Sequence, residues 1–269
     1  MAAYDGYAPG QALDSLARLG VSHAEPAYRY CGAPFDEASF ASTHAKRLGG
    51  AFKAAGLHCS AVFADLDLVD PQATSAMQRR LEFVATVGGQ LLILPAPPKA
   101  MHRIALTHLM AVAPQVEALA LKVALSPCTE AGPLALPDVA DFVASAQLPW
   151  LGLNFSTAQA LQAQPGLPVA DQFDAVAMAC VHMHLGDVRV QDGWFPVPLG
   201  DGHVACADVL HQIEQHPVPL TLDLPLRQYR SRTGQARRAP YRPPLADIEK
   251  ALSNSLRFVS KHLSSHLHH

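Results

Sequence analysis

Short apolar runs, each followed by an amphipathic stretch, recur along the whole chain, and this alternation restricts the fold more than any other feature. The runs lie at residues 21–27, 57–64, 90–95, 122–127, 149–155, 179–185 and 218–225, and a weaker one at 2–7 makes eight. Helical patterns occupy 11–19, 35–55, 71–87, 100–121, 137–146, 158–179 (with a Pro-Gly break), 205–215 and 244–262. Gly and Pro punctuate the joints, as at Gly56, at Gly88 and Gly89, and across 95–98. Parallel strands covered on both faces read as continuous apolar runs, and LLILP (91–95) and VALSP (123–127) do so. Eight such units predict a (β/α)8 TIM barrel as one domain over 1–262, followed by a disordered His-containing tail at 263–269. An open doubly wound sheet is the alternative the same pattern allows.

Composition agrees and narrows the partners. At 269 residues and 49% hydrophobic, the chain can bury one large core. A formal net charge of −3 gives no reason to expect nucleic acid. No apolar run approaches the ~20 residues of a membrane span, and MAAYDGYAPG does not read as a signal peptide. The five cysteines (Cys31, Cys59, Cys128, Cys180, Cys206) are scattered without CxxC spacing and read as reduced thiols, so a cytoplasmic protein is expected.

Barrel chemistry sits at the C-terminal ends of strands, which directs attention to the residues closing each run. These are Glu25 and Tyr28, Asp65 and Asp67, then Ser126 with Cys128 and Glu130. Asn154, Ser156 and Gln159 follow, then His182, His184 and Asp187, and finally Asp223. Asp223 stands between apolar neighbours in LTLDLPL, and a buried carboxylate is costly unless paired or used. His184 ends its strand three residues before Asp187, where a carboxylate can fix its tautomer. His182 reads as a core residue one layer deeper. Asp65 and Asp67 either line the mouth or cap the helix that follows Pro71. Glu25 either bonds a substrate hydroxyl or pairs with an arginine. Trp194 and Phe195 read as a wall over a ligand or as loop packing. Residues 227–242 hold six arginines and no acid. Arg227 and Arg230, nearest the strand end, are the expected anchors for an anionic group, since the guanidinium fork suits phosphate or carboxylate. Arg237 and Arg238 read as surface or subunit-contact residues, in keeping with a homo-oligomer.

The segments VHMHLGD (181–187), PLGDGHVACADVLHQI (198–213) and LTLDLPLR (220–227) resemble the closing third of the xylose-isomerase-like sugar isomerase/epimerase barrels. LEFVATVGGQLLILPAPP (81–98) is similar to the fourth βα unit of that family. The resemblance implies a divalent ion held by a glutamate, an aspartate, a histidine and a glutamate on strands five to eight, the glutamates also moving the proton between adjacent carbons. Carried over residue by residue, His184 matches the histidine, Asp187 the aspartate that follows it, and Asp223 the last glutamate, one methylene shorter. Ser126 stands at the first glutamate, Ser156 at the aspartate, and Gln159 at a histidine further along strand six. Hydroxyls add no charge to offset dehydration of a hard cation. No cofactor is therefore expected, with a weakly bound Mn, Mg, Co or Zn ion as the open alternative.

The resulting expectation is an isomerase or epimerase moving a proton next to a carbonyl on a small polyol, keto-sugar or sugar acid. His184, Asp223 and Asp187 would be its catalytic residues, with Glu25, Asp65, Asp67, Trp194, Arg227 and Arg230 around the substrate. Two alternatives stand beside it: a metal-independent lyase, and a barrel that binds a ligand or partner without catalysis. A nuclease of the endonuclease IV type needs many more His, Asp and Glu ligands at the strand ends than this chain has.

Overall fold

The computed structural model describes residues 1–29, 36–129 and 132–263. Cys31, Glu130 and all of the expected tail except Leu263 lie outside them. The described chain falls into two compact units. One comprises Met1, 7–126 and 138–153, the other 2–6, 127–137 and 154–269.

In the first unit, short parallel strands follow one another in sequence order. Ala27–Tyr28 pairs with Val62–Ala64 in the register Ala27↔Phe63. That strand pairs with Leu91–Pro95 (Val62↔Leu92), and Leu91–Pro95 with Lys122–Ser126, from Leu91↔Lys122 to Pro95↔Ser126. Val123↔Leu151 begins the pairing with Leu151–Ser156. Leu92, Ile93, Leu94, Val123, Ala124 and Leu125 are fully buried, as strands covered on both faces must be. The helix Ala73–Val87 shows why its sequence packs: Ala73, Ala76, Met77, Arg80, Leu81, Val84 and Val87 recur every three or four residues and are all buried. Arg80 is the unexpected member of that stripe.

In the second unit, Cys180–Leu185 pairs in parallel with Leu220–Leu222 (Met183↔Leu220, His184↔Thr221, Leu185↔Leu222). A four-stranded antiparallel sheet follows, in the order Asp187–Val190, Gly193–Val197, Gln228–Ser231, Ala236–Arg238. The helices here are Thr157–Ala163, Val169–Asp174, Cys206–Gln215 and Leu245–His262.

The seven parallel strands are ordered 27–28, 62–64, 91–95, 122–126, 151–156, 180–185, 220–222, without a reversal. A doubly wound sheet would reverse at a switch point. Sequential order with intervening helices is the (β/α) barrel arrangement.

Several local expectations need correction. Residues 2–7 do not form the first strand; Ala2–Tyr4 is a 3-10 helix. Gly6 there has φ +92°, outside any strand conformation, and the carbonyls of Asp5 and Gly6 accept from Arg227 (3.2 Å) and Arg242 (2.9 Å) instead of a sheet neighbour. The helix expected over 35–55 is interrupted at Ala41, whose extended backbone separates a 3-10 turn Glu37–Phe40 from the helix Ser42–Ala54. The 158–179 pattern splits into Thr157–Ala163 and Val169–Asp174, the second starting after Pro168. Trp194 and Phe195, and three of the six arginines (Arg230, Arg237 and Arg238), lie in antiparallel strands rather than loops.

Cys59, Cys128, Cys180 and Cys206 are all buried. Burial pushes Cys59 and Cys180 up to about 12, and Cys206 upward as well, so these three pack as small apolar groups rather than as nucleophiles. Among the described residues, no helix is long and apolar enough to cross a membrane.

Candidate active site at the ends of strands 151–156, 180–185 and 220–222

Side chains alternate faces along a strand, so His182 and His184 share a face, as do Asn154 and Ser156. Thr221 is the register partner of His184, and Asp223 directly follows that strand. Asn154, Ser156, His182 and His184 are all at most 2% exposed, an expensive concentration of polar atoms unless they bond one another.

Asn154, His182 and His184 do bond one another. The Thr221 hydroxyl lies 3.1 Å from His182 Nε2. His182 Nδ1 lies 2.9 Å from Asn154 Oδ1, and Asn154 Nδ2 lies 3.1 Å from His184 Nδ1. The two imidazole rings meet edge to face with centroids 5.2 Å apart. The chain Thr221–His182–Asn154–His184 is therefore continuous. Just beyond it, Thr157 Oγ1 donates to the Gly186 carbonyl (2.6 Å) and accepts from the Gly186 amide (2.9 Å). Asp223 N donates to Leu185 O (2.9 Å), and a Cβ on Gly186 would lie 2.7 Å from the Asp223 carbonyl. Only glycine permits that approach between the two strand ends.

Asp187 is buried, but its carboxylate has another occupation. Oδ1 accepts from the amides of Val188 (2.8 Å) and Val204 (2.9 Å), and Oδ2 from those of Gly200 (3.0 Å) and Gly202 (2.9 Å). A Cβ on Gly202 would collide with Oδ1. The motif PLGDGH is thus a loop folded around one carboxylate, with Gly202 at the point of closest approach.

The arginines are similarly engaged. Arg227 donates to the carbonyls of Asp5 (3.2 Å), Ala239 (3.1 Å) and Pro240 (3.4 Å). Arg230 donates to Gly234 O (2.7 Å) and Thr129 O (2.8 Å). Arg238 makes a two-pronged contact with the Asp5 carboxylate, Nε at 2.8 Å and Nη2 at 2.6 Å. Trp194 pairs in register with Arg230, and Phe195 stacks on Tyr229 at 5.1 Å.

The remaining sequence candidates belong to the first unit. Glu25 is buried between the strands His23–Ala24 and Ala27–Tyr28; its carbonyl accepts from the Met1 ammonium at 2.5 Å. After burial itself, its charge contributes to raising the Cys59 thiol. The Asp65 carbonyl accepts from buried Arg80 (2.8 Å), and Asp67 Oδ1 accepts from Val69 N (3.0 Å), closing a turn. The helix-side carboxylate is Asp70, which accepts from Gln72 N at 2.7 Å.

The sequence pattern brings Asn154 to a strand end without giving it a role, does not single out Thr221 or Thr157, and assigns His182 to the core alone. Period-two counting back from Ser156 reaches Asn154, and back from Asp223 reaches Thr221; that was the available signal.

The family's ion positions were tested by their donors. Ser126 and Ser156 are fully buried or nearly so and offer only hydroxyls, leaving one imidazole and one carboxylate. That set does not fit a hard divalent cation.

The sequence profile of the xylose isomerase-like TIM barrels matches residues 13–252. No curated protein matches the chain. Among solved structures, a D-psicose 3-epimerase determined in the presence of D-fructose superposes with a TM-score of 0.71 at 12% identity, covering 97% of this chain and 95% of its own. A probable 3-DHS dehydratase from Bacillus anthracis gives 0.69 at 10% identity, covering 96% of each chain. A xylose isomerase-like TIM barrel protein from Mycobacterium smegmatis, in complex with magnesium, gives 0.69 at 12% identity, covering 97% and 92%.

Proposed function

The chain belongs to the xylose isomerase-like TIM barrel family, and from that premise we propose that it is a sugar isomerase or epimerase that moves a proton next to a carbonyl. The observation that carries this reading is the buried Thr221–His182–Asn154–His184 chain, which reaches the strand that Asp223 directly follows.

The carboxylate of Asp223 takes the proton from the carbon beside the substrate carbonyl. The electron pair left behind moves onto the carbonyl oxygen, where His184 stabilises the enediolate by hydrogen bonding. Return of that proton by Asp223 to the neighbouring carbon on the same face gives the isomer, whereas the epimer requires a proton from a second acid on the opposite face, which leaves Asp223 protonated until solvent resets it. No step is routed through a metal ion. Asp187 acts through the loop it organises, and Arg227 and Arg230 act through the ribbon they hold. Glu25 is proposed as a partner for a substrate hydroxyl, and Trp194 as an apolar wall. The likeness to a dehydratase favours one second reading: the same proton abstraction followed by loss of a β-hydroxyl, a lyase reaction.

The test is solvent-deuterium incorporation followed by NMR over keto-sugars, sugar acids and their phosphates. The wild type should exchange the proton next to the carbonyl of at least one of them. Asp223→Asn should lower that rate by about 10²–10⁴-fold, the range for removing a general acid–base, with an unchanged urea midpoint. Loss of water instead of exchange would select the lyase. Binding without exchange, or full activity in Asp223→Asn, would overturn the reading.

A further inference from the structure

We infer that Asn154 is a positioning residue that locks the two buried histidines into opposite tautomers: His182 with its proton on Nδ1, His184 with its proton on Nε2. The argument is one of donors and acceptors. An amide oxygen only accepts, so the 2.9 Å contact between His182 Nδ1 and Asn154 Oδ1 requires a proton on Nδ1. An amide nitrogen only donates, so the 3.1 Å contact from Asn154 Nδ2 requires a lone pair on His184 Nδ1. The neutral His184 ring must then carry its proton on Nε2. At the far end His182 Nε2 has the lone pair, and the Thr221 hydroxyl 3.1 Å away donates to it. All the bonds of the chain thus point one way, from Thr221 through His182 and Asn154 to His184. Reversing either bond of Asn154 sets two donors or two acceptors against each other inside a buried site.

The consequence differs from what the family resemblance implies for this position. A histidine that holds a metal does so through a lone pair, whereas this amide gives His184 Nε2 a proton. At this site the imidazole is a hydrogen-bond donor through Nε2, and Asn154 sets it so through Nδ1. The tautomer assignment stands on the hydrogen bonds alone; only its use in turnover rests on the proposed reaction.

The experiment is long-range proton–nitrogen NMR of the histidine rings in the full-length protein without substrate, assigned with His182→Gln and His184→Gln. In the wild type, His182 should show a protonated Nδ1 and His184 a protonated Nε2 with an unprotonated Nδ1. Asn154→Asp replaces the donor amide by a second acceptor, so His184 Nδ1 should move into the range of a protonated nitrogen. Thr221→Val removes the hydroxyl but leaves the amide, so His184 should keep its tautomer. A wild-type His184 protonated on Nδ1, an Asn154→Asp spectrum without a change at His184, or a changed His184 in Thr221→Val would each overturn the inference. If Asn154→Asp does not fold, the wild-type and Thr221→Val spectra still decide it. Failure of the deuterium-exchange reaction would leave these spectra unaltered, so the two ideas fail separately.

Discussion

Arg80 in the first unit and Asp187 in the second are each 1% exposed, and these two buried charges are satisfied in opposite ways. Arg80 reaches outward to several kinds of partner: Glu37 Oε1 at 2.7 Å, the carbonyls of Ala76 (3.2 Å) and Asp65 (2.8 Å), and the face of Phe40 at 4.4 Å. Asp187 draws the backbone in, taking four amides from residues 188–204. In both centres the charge organises a loop or a helix and its partners are fixed parts of the fold. The imidazole–amide chain of the second unit is held by side-chain partners instead, and it folds no loop. Depth of burial therefore does not separate architecture from chemistry here, whereas the kind of partner does.

The sharpest way to break this contrast is to remove Asp187. Asp187→Ala strands the buried amides of Val188 and Val204 and releases those of Gly200 and Gly202. At roughly 1–3 kcal/mol for each buried donor left unpaired, the expected loss is about 4 kcal/mol of unfolding free energy. Urea denaturation would measure it. A stability equal to that of Asp223→Asn would mean that Asp187 does not hold the loop.

Arg80→Met should come next, at about 3 kcal/mol, the scale for opening a buried ionic site, since two carbonyls lose their donor while the methionine recovers part of the packing on Phe40. Its partner Glu37 is half exposed and can turn to water, which is why the loss is expected to be smaller than for Asp187. A larger loss than in Asp187→Ala would reverse the ranking and place the main electrostatic anchor in the first unit.

The same contrast explains what the sequence could disclose. The barrel was legible because it is written in periodicities: LLILP and VALSP gave fully buried strands, and the order of the runs became the order of the sheet. The missing strand at 2–7 was illegible because its fate is decided by Arg227, Arg238 and Arg242, more than two hundred residues away. Asp187 stood out as an acid after a strand, but nothing local says that four amides will turn toward it. Asn154 stood at a strand end without a role, because an uncharged amide in LNFS carries no chemical signal until its neighbours are known. Sequence patterns report backbone and burial well, and report hydrogen-bond partners only when those partners are near in the chain.

The smallest expected effect concerns the edge of the Arg80 centre and depends on pH. Burial alone would push the Glu37 carboxyl up, but the hydrogen bond and charge of Arg80, joined by Arg79, outweigh it and hold the group below the ordinary glutamate value of 4.5. A carboxyl lowered in the folded state binds fewer protons there than in the unfolded chain, so it stabilises the fold above its unfolded value. That contribution disappears as pH falls through the folded value. The wild-type urea midpoint should accordingly drop more steeply than that of Glu37→Gln between about pH 5 and about pH 3. The difference should be modest, because the Glu37 side chain is 48% exposed and water screens the pair. Parallel profiles would show that Arg80 is held by its carbonyls and the Phe40 ring, with the carboxylate adding little. The first unit's buried charge would then resemble the second's in being satisfied chiefly by backbone.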